Sequence, residues 1–224
     1  MVKVLGLGYN VCDVYLHTGT MYPGGQAVNF AVYAGQLGAQ ADFMGVFGGD
    51  AVARHVQSTL DEKGVGRSHC GSYPGENGFA RVTLVEGDRV FMGSNRGGVL
   101  QEHPIYLDQA DLDYIAGFDL VHTTNNGFVD SLLPQLSQLP PFVSYDFSYR
   151  WNEEDRVERV CPYIDFAFLS CSGLDDVQTQ DLCRRLHEKG CGVVTATGTS
   201  KGATVFDGSR FYEQSPHLVE PVDT

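Results

Sequence analysis

With 224 residues and 42% hydrophobic content, the chain can bury one sizeable core and has the composition of an ordinary globular domain. Its 28 Asp and Glu against 15 Lys and Arg give a formal charge of -13, which repels nucleic-acid backbones and anionic lipid. Arg184-Arg185 is the single adjacent basic pair, so no basic patch offsets that repulsion, and no run of about 18 apolar residues is present to span a membrane.

Taken in order, short apolar runs alternate with amphipathic stretches, the pattern of strands and crossover helices in an α/β fold. Val2 to Leu7 reads as a strand and lacks the long apolar region and cleavage site of a signal peptide. Gln26 to Leu37 reads as a helix with Ala27, Phe30, Ala31, Ala34 and Leu37 on one buried stripe and Gly38 ending it. Phe43 to Phe47 is a predicted strand. Asp50 caps a helix that turns Val52, Val56 and Leu60 inward and closes at Gly64.

Phe79 to Met92 alternates as two strands about Gly87-Asp88, a pair suited to a tight turn. Together with the extended stretch Val11 to Met21, this hairpin is expected to form a separate small sheet, a lid over a site at the carboxyl ends of the main strands. The lid segments are placed at about 11-22 and 77-100 within one domain covering 1-224. Beyond them, strands are expected at Phe118 to His122, Phe142 to Asp146, Asp165 to Leu169 and Gly192 to Thr197, with helices at Val129 to Leu139, Glu153 to Val160 and Asp176 to Glu188. Thr204 to Tyr212 forms a second hairpin about Asp207-Gly208, at the sheet edge. Strands that are apolar without strict alternation suit a parallel sheet covered on both faces.

The cysteines, at 12, 70, 161, 171, 183 and 191, include no C-x-x-C pair and read as reduced packing thiols of a cytoplasmic protein. Gly6-Leu7-Gly8-Tyr9-Asn10-Val11 opens like a dinucleotide fingerprint, but Val11 stands where its third glycine belongs. No Walker-type phosphate loop, G-x-S-x-G elbow or H-E-x-x-H helix occurs.

The informative string is Pro23-Gly24-Gly25-Gln26-Ala27-Val28-Asn29-Phe30-Ala31, followed by Gly38 and Gly48. Paired glycines before a helix let the backbone approach a ligand, and an Asn in the first turn offers both a donor and an acceptor to hydroxyl groups. A glycine-rich helix start with a capping Asn explains the same residues equally well on their own.

The whole string, with its later glycines, is similar to the first signature of the PfkB/ribokinase family of sugar kinases. Asn10-Val11-Cys12-Asp13 resembles the family's substrate-binding strand end, and Thr195 to Gly202 resembles its T-x-x-G-x-x-x-G nucleotide loop. Asp88-Arg89-Val90-Phe91, Tyr145-Asp146-Phe147-Ser148 and Asp165-Phe166-Ala167-Phe168 are most similar to the bacterial members that phosphorylate fructoselysine. The resemblance implies a ribokinase-like three-layer αβα sandwich with a mainly parallel sheet and a small β lid. It also implies transfer of a phosphoryl group from ATP, with Mg2+, to the C6 hydroxyl of fructoselysine or a related fructosamine. A PfkB-type kinase for another sugar and a non-catalytic sugar-binding module are the alternatives.

Residue by residue, the resemblance implies that Asp13, Gly24, Gly25 and Asn29 hold the sugar and that Thr195, Gly198, Lys201 and Gly202 receive the nucleotide. Arg89 is either a contact to a substrate anion or a solvated turn charge. Asp146 is either a strand-end cap or a contact to substrate or metal-bound water. Where many relatives carry N-x-x-E, this chain reads Ser170-Cys171-Ser172-Gly173, leaving Asp175 or Asp176 as a nearby carboxylate for magnesium. The family's anion hole and general base lie in D-T-x-G-A-G-D, and the sequence closes on its first two letters, Asp223-Thr224. The expectation is therefore of a C-terminal part missing, no catalytic base within this chain, little activity, and uncovered apolar strand faces. Asp223 is implied to help bind K+, and a homodimer through the lid is implied as well.

Overall fold

The computed structural model of the chain describes residues 1–85, 88–198 and 201–218, and for 85, 88 and 89 it describes the backbone alone. Strands β1 (Lys3–Leu7), β2 (Val11–Tyr15) and β3 (Thr20–Gly24) precede helix α1 (Gln26–Gln36). β4 (Gln40–Met44) and β5 (Val46–Phe47) lead to α2 (Ala51–Glu62), and β6 (Gly71–Ser72), β7 (Gly78–Val85) and β8 (Asp88–Ser94) lead to α3 (Gln109–Ile115). The remainder alternates as β9 (Leu120–Thr124), α4 (Leu133–Leu136), β10 (Phe142–Ser148), α5 (Glu154–Val160), β11 (Phe166–Ser170), α6 (Asp176–Glu188) and β12 (Val193–Thr197). The hairpin β13 (Ala203–Phe206) and β14 (Phe211–Gln214) follows.

The main sheet has the order β14-β13-β12-β11-β10-β9-β1-β4. It is parallel from β4 to β12, with β13 and β14 added antiparallel at one edge. A second sheet, β3-β2-β7-β8, is built from the segments that break the βα alternation. This is the ribokinase-like α/β arrangement expected from the sequence. An additional pairing of β5 with β6 forms a third, two-stranded sheet.

Helix ends follow side-chain chemistry. The Asp50 carboxylate accepts from the Ala53 amide, and Asp175 and Gln178 form a reciprocal capping box on α6, each satisfying amides that have no partner within the helix. Gly38, Gly64 and Gly190 close α1, α2 and α6 at φ of 96°, 70° and 113°, a left-handed conformation that favours glycine.

On one face of the sheet, Val121, Val143, Ala167 and Val194 pack with Leu136, Val160 and Leu186 from α4 to α6 in a large apolar cluster. On the other, Val4, Ala41 and Phe43 pack with Ala27, Ala31, Val56 and Leu60. Each fully buried Val, Leu or Phe among them contributes about 1.5–3 kcal/mol. α1 can approach β1 because Gly6 has no side chain: a Cβ there would stand 2.2 Å from the Ala27 carbonyl oxygen. The second cluster does not extend over β9 to β12, where a cleft of about 480 Å3 opens among Phe30, Leu120, His122, Ser144, Phe168 and Thr197. Exposures of 58% at Phe142 and 38% at Phe168 agree with the expectation of uncovered apolar strand residues.

Three local expectations are corrected. Leu37 is 90% exposed, because α1 ends at Gln36 and the chain turns away through Gly38. The single helix over Val129 to Leu139 is a 3-10 turn, Asp130–Leu132, followed by the short α4. Pro134, at the start of α4, has no amide to donate into a helix running through from Val129. The strand over Phe43 to Phe47 breaks at Gly45, where a Cβ would lie 2.4 Å from the Gly8 carbonyl oxygen, and β5 turns to pair with β6.

Candidate active site

The carboxyl ends of β1, β9 and β10 meet the amino end of α1 and the inner strands of the small sheet. Gly25 precedes α1 at φ 101°, and a Cβ on it would sit 3.0 Å from the Tyr9 carbonyl oxygen. The paired glycines thus let α1 start against the chain that leaves β1. Gly24, at the end of β3, faces Asp13 of β2, and its absent Cβ would lie 3.6 Å from Asp13 Oδ2. Gly24 and Asp13 thus face each other beside the start of α1, next to the cleft whose lining includes Phe30 of α1 and Asp146.

Gln26, the first residue of α1, joins this recess to strands far away in sequence. Its Nε2 donates to Asp146 Oδ2 at 2.6 Å, and Asn126 Nδ2 donates to its Oε1 at 3.4 Å. Asp146 Oδ1 accepts from the Ser148 amide at 2.7 Å. That bond holds the turn in which Ser148 takes φ 53°, where the β10–β11 register shifts. The Asp146 carboxylate therefore caps its own strand end and also holds the first residue of α1. Burial raises the Asp146 pKa above the usual carboxylate range, against the bonds from Ser148 and Gln26. Tyr9 closes the ring: burial raises its phenol, the Asn126 hydrogen bond lowers it, and the Asp13 and Asp146 charges raise it further.

Behind this ring, on the other face of the sheet, Arg156 Nη1 donates to Asp130 Oδ2 at 2.6 Å and to the Asn125 carbonyl at 3.3 Å. Tyr145 donates to Asp130 Oδ1 at 2.8 Å. These bonds fix the ends of β9 and β10 relative to each other.

Asparagines pin the small sheet at its root. Asn10 Nδ2 donates to the Val46 carbonyl at 2.8 Å, and Asn77 Nδ2 donates to Asn10 Oδ1 at 2.8 Å. Asn77 Oδ1 accepts from the Gly48 amide at 3.1 Å, and Asn95 Nδ2 donates to the Asn77 carbonyl at 2.8 Å. Gly48 is required by this junction, since a Cβ there would stand 2.5 Å from the Asn77 nitrogen.

At the ends of β11 and β12 a second recess, about 140 Å3, is lined by residues that include Asp176, Thr179, Thr197, Gly198, Lys201 and Gly202. The Gly198 amide donates to the Gly202 carbonyl at 2.9 Å, and Lys201 Nζ donates to the Leu174 carbonyl at 2.7 Å. Gly202 has φ 87°, and its absent Cβ would lie 2.0 Å from the Gln214 carbonyl oxygen. Asp175 is engaged in capping α6, so Asp176 is the carboxylate of that pair that faces the recess.

Of the sugar-side residues singled out in the sequence, Asp13, Gly24 and Gly25 come together. Asn29 lies one turn into α1 with its side chain exposed, and no contact among the described residues joins it to Asp13 or Asp146. Arg89 is in β8, but its side chain lies outside the described residues, as does the whole of Asp223. On the nucleotide side Gly198, Lys201 and Gly202 share a recess. Thr195 sits mid-strand between Phe168 and Val205, away from the lining. Tyr9, Gln26 and Asn126 were not singled out. Gln26 stands inside the glycine string and was the legible one.

The family model described as pfkB family carbohydrate kinase matches residues 3–224, and the chain belongs to that family: it is a carbohydrate kinase, a phosphotransferase with an alcohol acceptor. Among its relatives, fructosamine kinase FrlD of Bacillus subtilis (strain 168) is 38% identical over all of this chain and 78% of its own length. Fructoselysine 6-kinase of Escherichia coli (strain K12) is 30% identical over all of this chain and 84% of its own. The fold is shared with Arabidopsis thaliana ribokinase complexed with ribose and ATP, at TM-score 0.81 and 19% identity over 96% of this chain and 77% of that one. It is shared also with a putative ribokinase II from E. coli in complex with ATP and Mg2+, at TM-score 0.81 and 17% identity over 100% and 81%.

Proposed function

We propose that this kinase phosphorylates the C6 hydroxyl of a fructosamine such as fructoselysine, with ATP as the donor. The observation that carries the reading is that Gly24 faces Asp13 beside the start of α1, whose first residue, Gln26, donates to Asp146 on β10, in a chain whose curated relatives include kinases named for fructosamine substrates. Open α/β sheets bind ligands at the carboxyl ends of their strands.

In this reading the Asp13 carboxylate accepts hydrogen bonds from acceptor hydroxyls, and the glycine pair lets the sugar lie against backbone. Alignment of the hydroxyl is itself a large share of catalysis in phosphoryl transfer. The Gly198 to Gly202 loop borders the nucleotide, with Lys201 near its phosphates and Thr195 supporting the loop from β12. Asp176 fits magnesium, which keeps several waters and takes one or two carboxylates together with substrate phosphates. When bound, the ion supplies neutralisation of phosphate charge. A general base for the attacking hydroxyl contributes roughly 10²- to 10⁴-fold, and this reading assigns it to the last Asp of the family's D-T-x-G-A-G-D pattern, whose first two letters Asp223-Thr224 match. K+ bound through Asp223, Arg89 contacting a substrate anion, Asn29 reaching the sugar, and the small sheet acting as a lid within one domain complete the proposal. Exposed Phe91 and Met92 on β8 support pairing of two lids in a homodimer.

The test is an assay of the protein carried through Gly-Ala-Gly-Asp, supplied with Mg2+ and ATP and offered fructoselysine, fructose, ribose and a nucleoside in parallel. The expected product is the 6-phosphate of fructoselysine. Turnover of a nucleoside or plain hexose with none of the fructosamine overturns the reading.

A further inference from the structure

Among the described residues, Asp146 is the one carboxylate in the lining of the cleft beside α1, with Phe30, Leu120, Phe166 and Phe168 around it. Asp146 is partly buried, and its carboxylate is held by neutral donors, the Gln26 amide at 2.6 Å and the Ser148 backbone at 2.7 Å. It takes part in no ion pair among the described residues. The nearby Arg156 is on the opposite face of the sheet and is occupied by Asp130 and Glu153. Withdrawing a carboxylate from water without a cation is costly, and such groups are normally paired. Two of its acceptor positions are filled by N–H donors, and a carboxylate offers about four.

We infer that Asp146 is a specificity-determining residue, the counter-ion for a protonated amine carried by the acceptor. This inference rests on the fructosamine reading and sharpens it. A secondary amine attached next to a ketose ring is a cation at neutral pH, and its N–H groups can satisfy the remaining acceptor positions of the carboxylate while Asp13 keeps the hydroxyls. Gln26 acts through Asp146 as a positioning residue: it fixes the carboxylate rotamer, and Asn126 in turn fixes Gln26. Plain sugars lack the charge that completes the site, so preference for the amine over an uncharged substituent is built into the recess.

Calorimetry with two ligands of matched shape tests this: a 1-alkylamino-1-deoxyfructose, and the 1-O-alkyl ether of fructose in which oxygen replaces the amine nitrogen. The wild-type protein is expected to bind the amine at least tenfold more tightly than the ether. In Asp146→Asn, which keeps the shape and an acceptor for Ser148, that preference is expected to collapse, the amine losing far more affinity than the ether. Gln26→Ala, checked for folding by thermal melting, is expected to reduce the preference partway. Equal binding of amine and ether by the wild type overturns the inference without any variant and leaves the fructosamine reading standing. Equal loss of both ligands in Asp146→Asn also overturns it, assigning the residue to sugar hydroxyls or to the fold. Failure of both ligands to bind the wild type removes the fructosamine reading and the counter-ion together.

Discussion

The two recesses at the top of the main sheet are assembled at different ranges. On the sugar side, Gln26 reaches Asp146 across 120 residues and Asn126 across 100, and the recess exists because β1, β9 and β10 lie side by side. On the nucleotide side, the loop closes on itself within a few residues through the Gly198–Gly202 and Lys201–Gly198 bonds. The first site is a property of the topology, and the second is closer to a property of a short peptide. Damage on the sugar side should therefore spread into the fold. On the nucleotide side it should stay local unless it strikes the contact of Gly202 with β14.

The largest expected effect is that of Asp13→Asn. Loss of hydrogen bonds to a charged acceptor costs about 1.5–3 kcal/mol, so acceptor affinity should fall roughly 10- to 150-fold with ATP affinity unchanged, as titration calorimetry would show. Equal loss of both would join the two sites and break the comparison. Next comes Gly25→Ala, which places a side chain at φ 101° and 3.0 Å from the Tyr9 carbonyl oxygen. Strain of this kind costs about 1–3 kcal/mol, to be seen as a lowered melting temperature accompanied by weaker acceptor binding. Gly202→Ala is its counterpart at the other recess. A Cβ 2.0 Å from the Gln214 carbonyl oxygen must displace β14, and the KM for ATP is expected to rise while acceptor binding holds.

These expectations depend on how much of each site could be read before the structure. The glycine string and the T-x-x-G-x-x-x-G loop were legible because each is written in consecutive residues. Asp13 was marked only by the family resemblance, as a strand-end residue, and the structure places it in the middle of β2. Tyr9 and Asn126 were not, since nothing in the sequence says that the end of β1 lies beside the end of β9. The alternation of strands and helices was plain, while Leu37 and the Val129 to Leu139 segment misled: apolar spacing continued past the points where Gly38 and Pro134 end the regular backbone. α3 was overlooked although Asp108 and Asp111 form a capping box at its start. The helix has only seven residues, and Ala110, Leu112 and Tyr114 alternate in it as they would in a strand.

A smaller effect comes from the open face between the two recesses. His122 is buried against Phe30, with ring centroids 4.4 Å apart, and its Nδ1 meets Ser144 Oγ at 2.8 Å. Burial lowers its pKa to about 4. Because the folded pKa is depressed, the unfolded chain takes up the proton first as pH falls. Stability contributed by the neutral ring is complete above about 6.5 and is lost between there and about 4. His122→Gln should flatten the melting temperature across that window, and an unchanged slope would place the titration elsewhere. The smallest effect is expected for Lys201→Ala. Its bond to the Leu174 carbonyl is exposed and contributes about 0.5–1.5 kcal/mol, so ATP affinity should drop less than about tenfold.

The asparagines at the root of the small sheet carry a consequence for how the chain tolerates changes of length. Asn10, Asn77 and Asn95 bond to one another's amides or backbone and to Val46 and Gly48, so the crossings at residues 10, 77 and 95 are all anchored by side chains rather than by strand pairing alone. An added or deleted residue beside any of them shifts an anchor by a full residue and breaks the junction. The reversal between β2 and β3 is different: residues 16–20 are exposed there, and a Cβ at Gly19 would meet nothing within 4 Å. Insertions should be tolerated at that far tip, while a change of length beside the asparagines should lower the melting temperature.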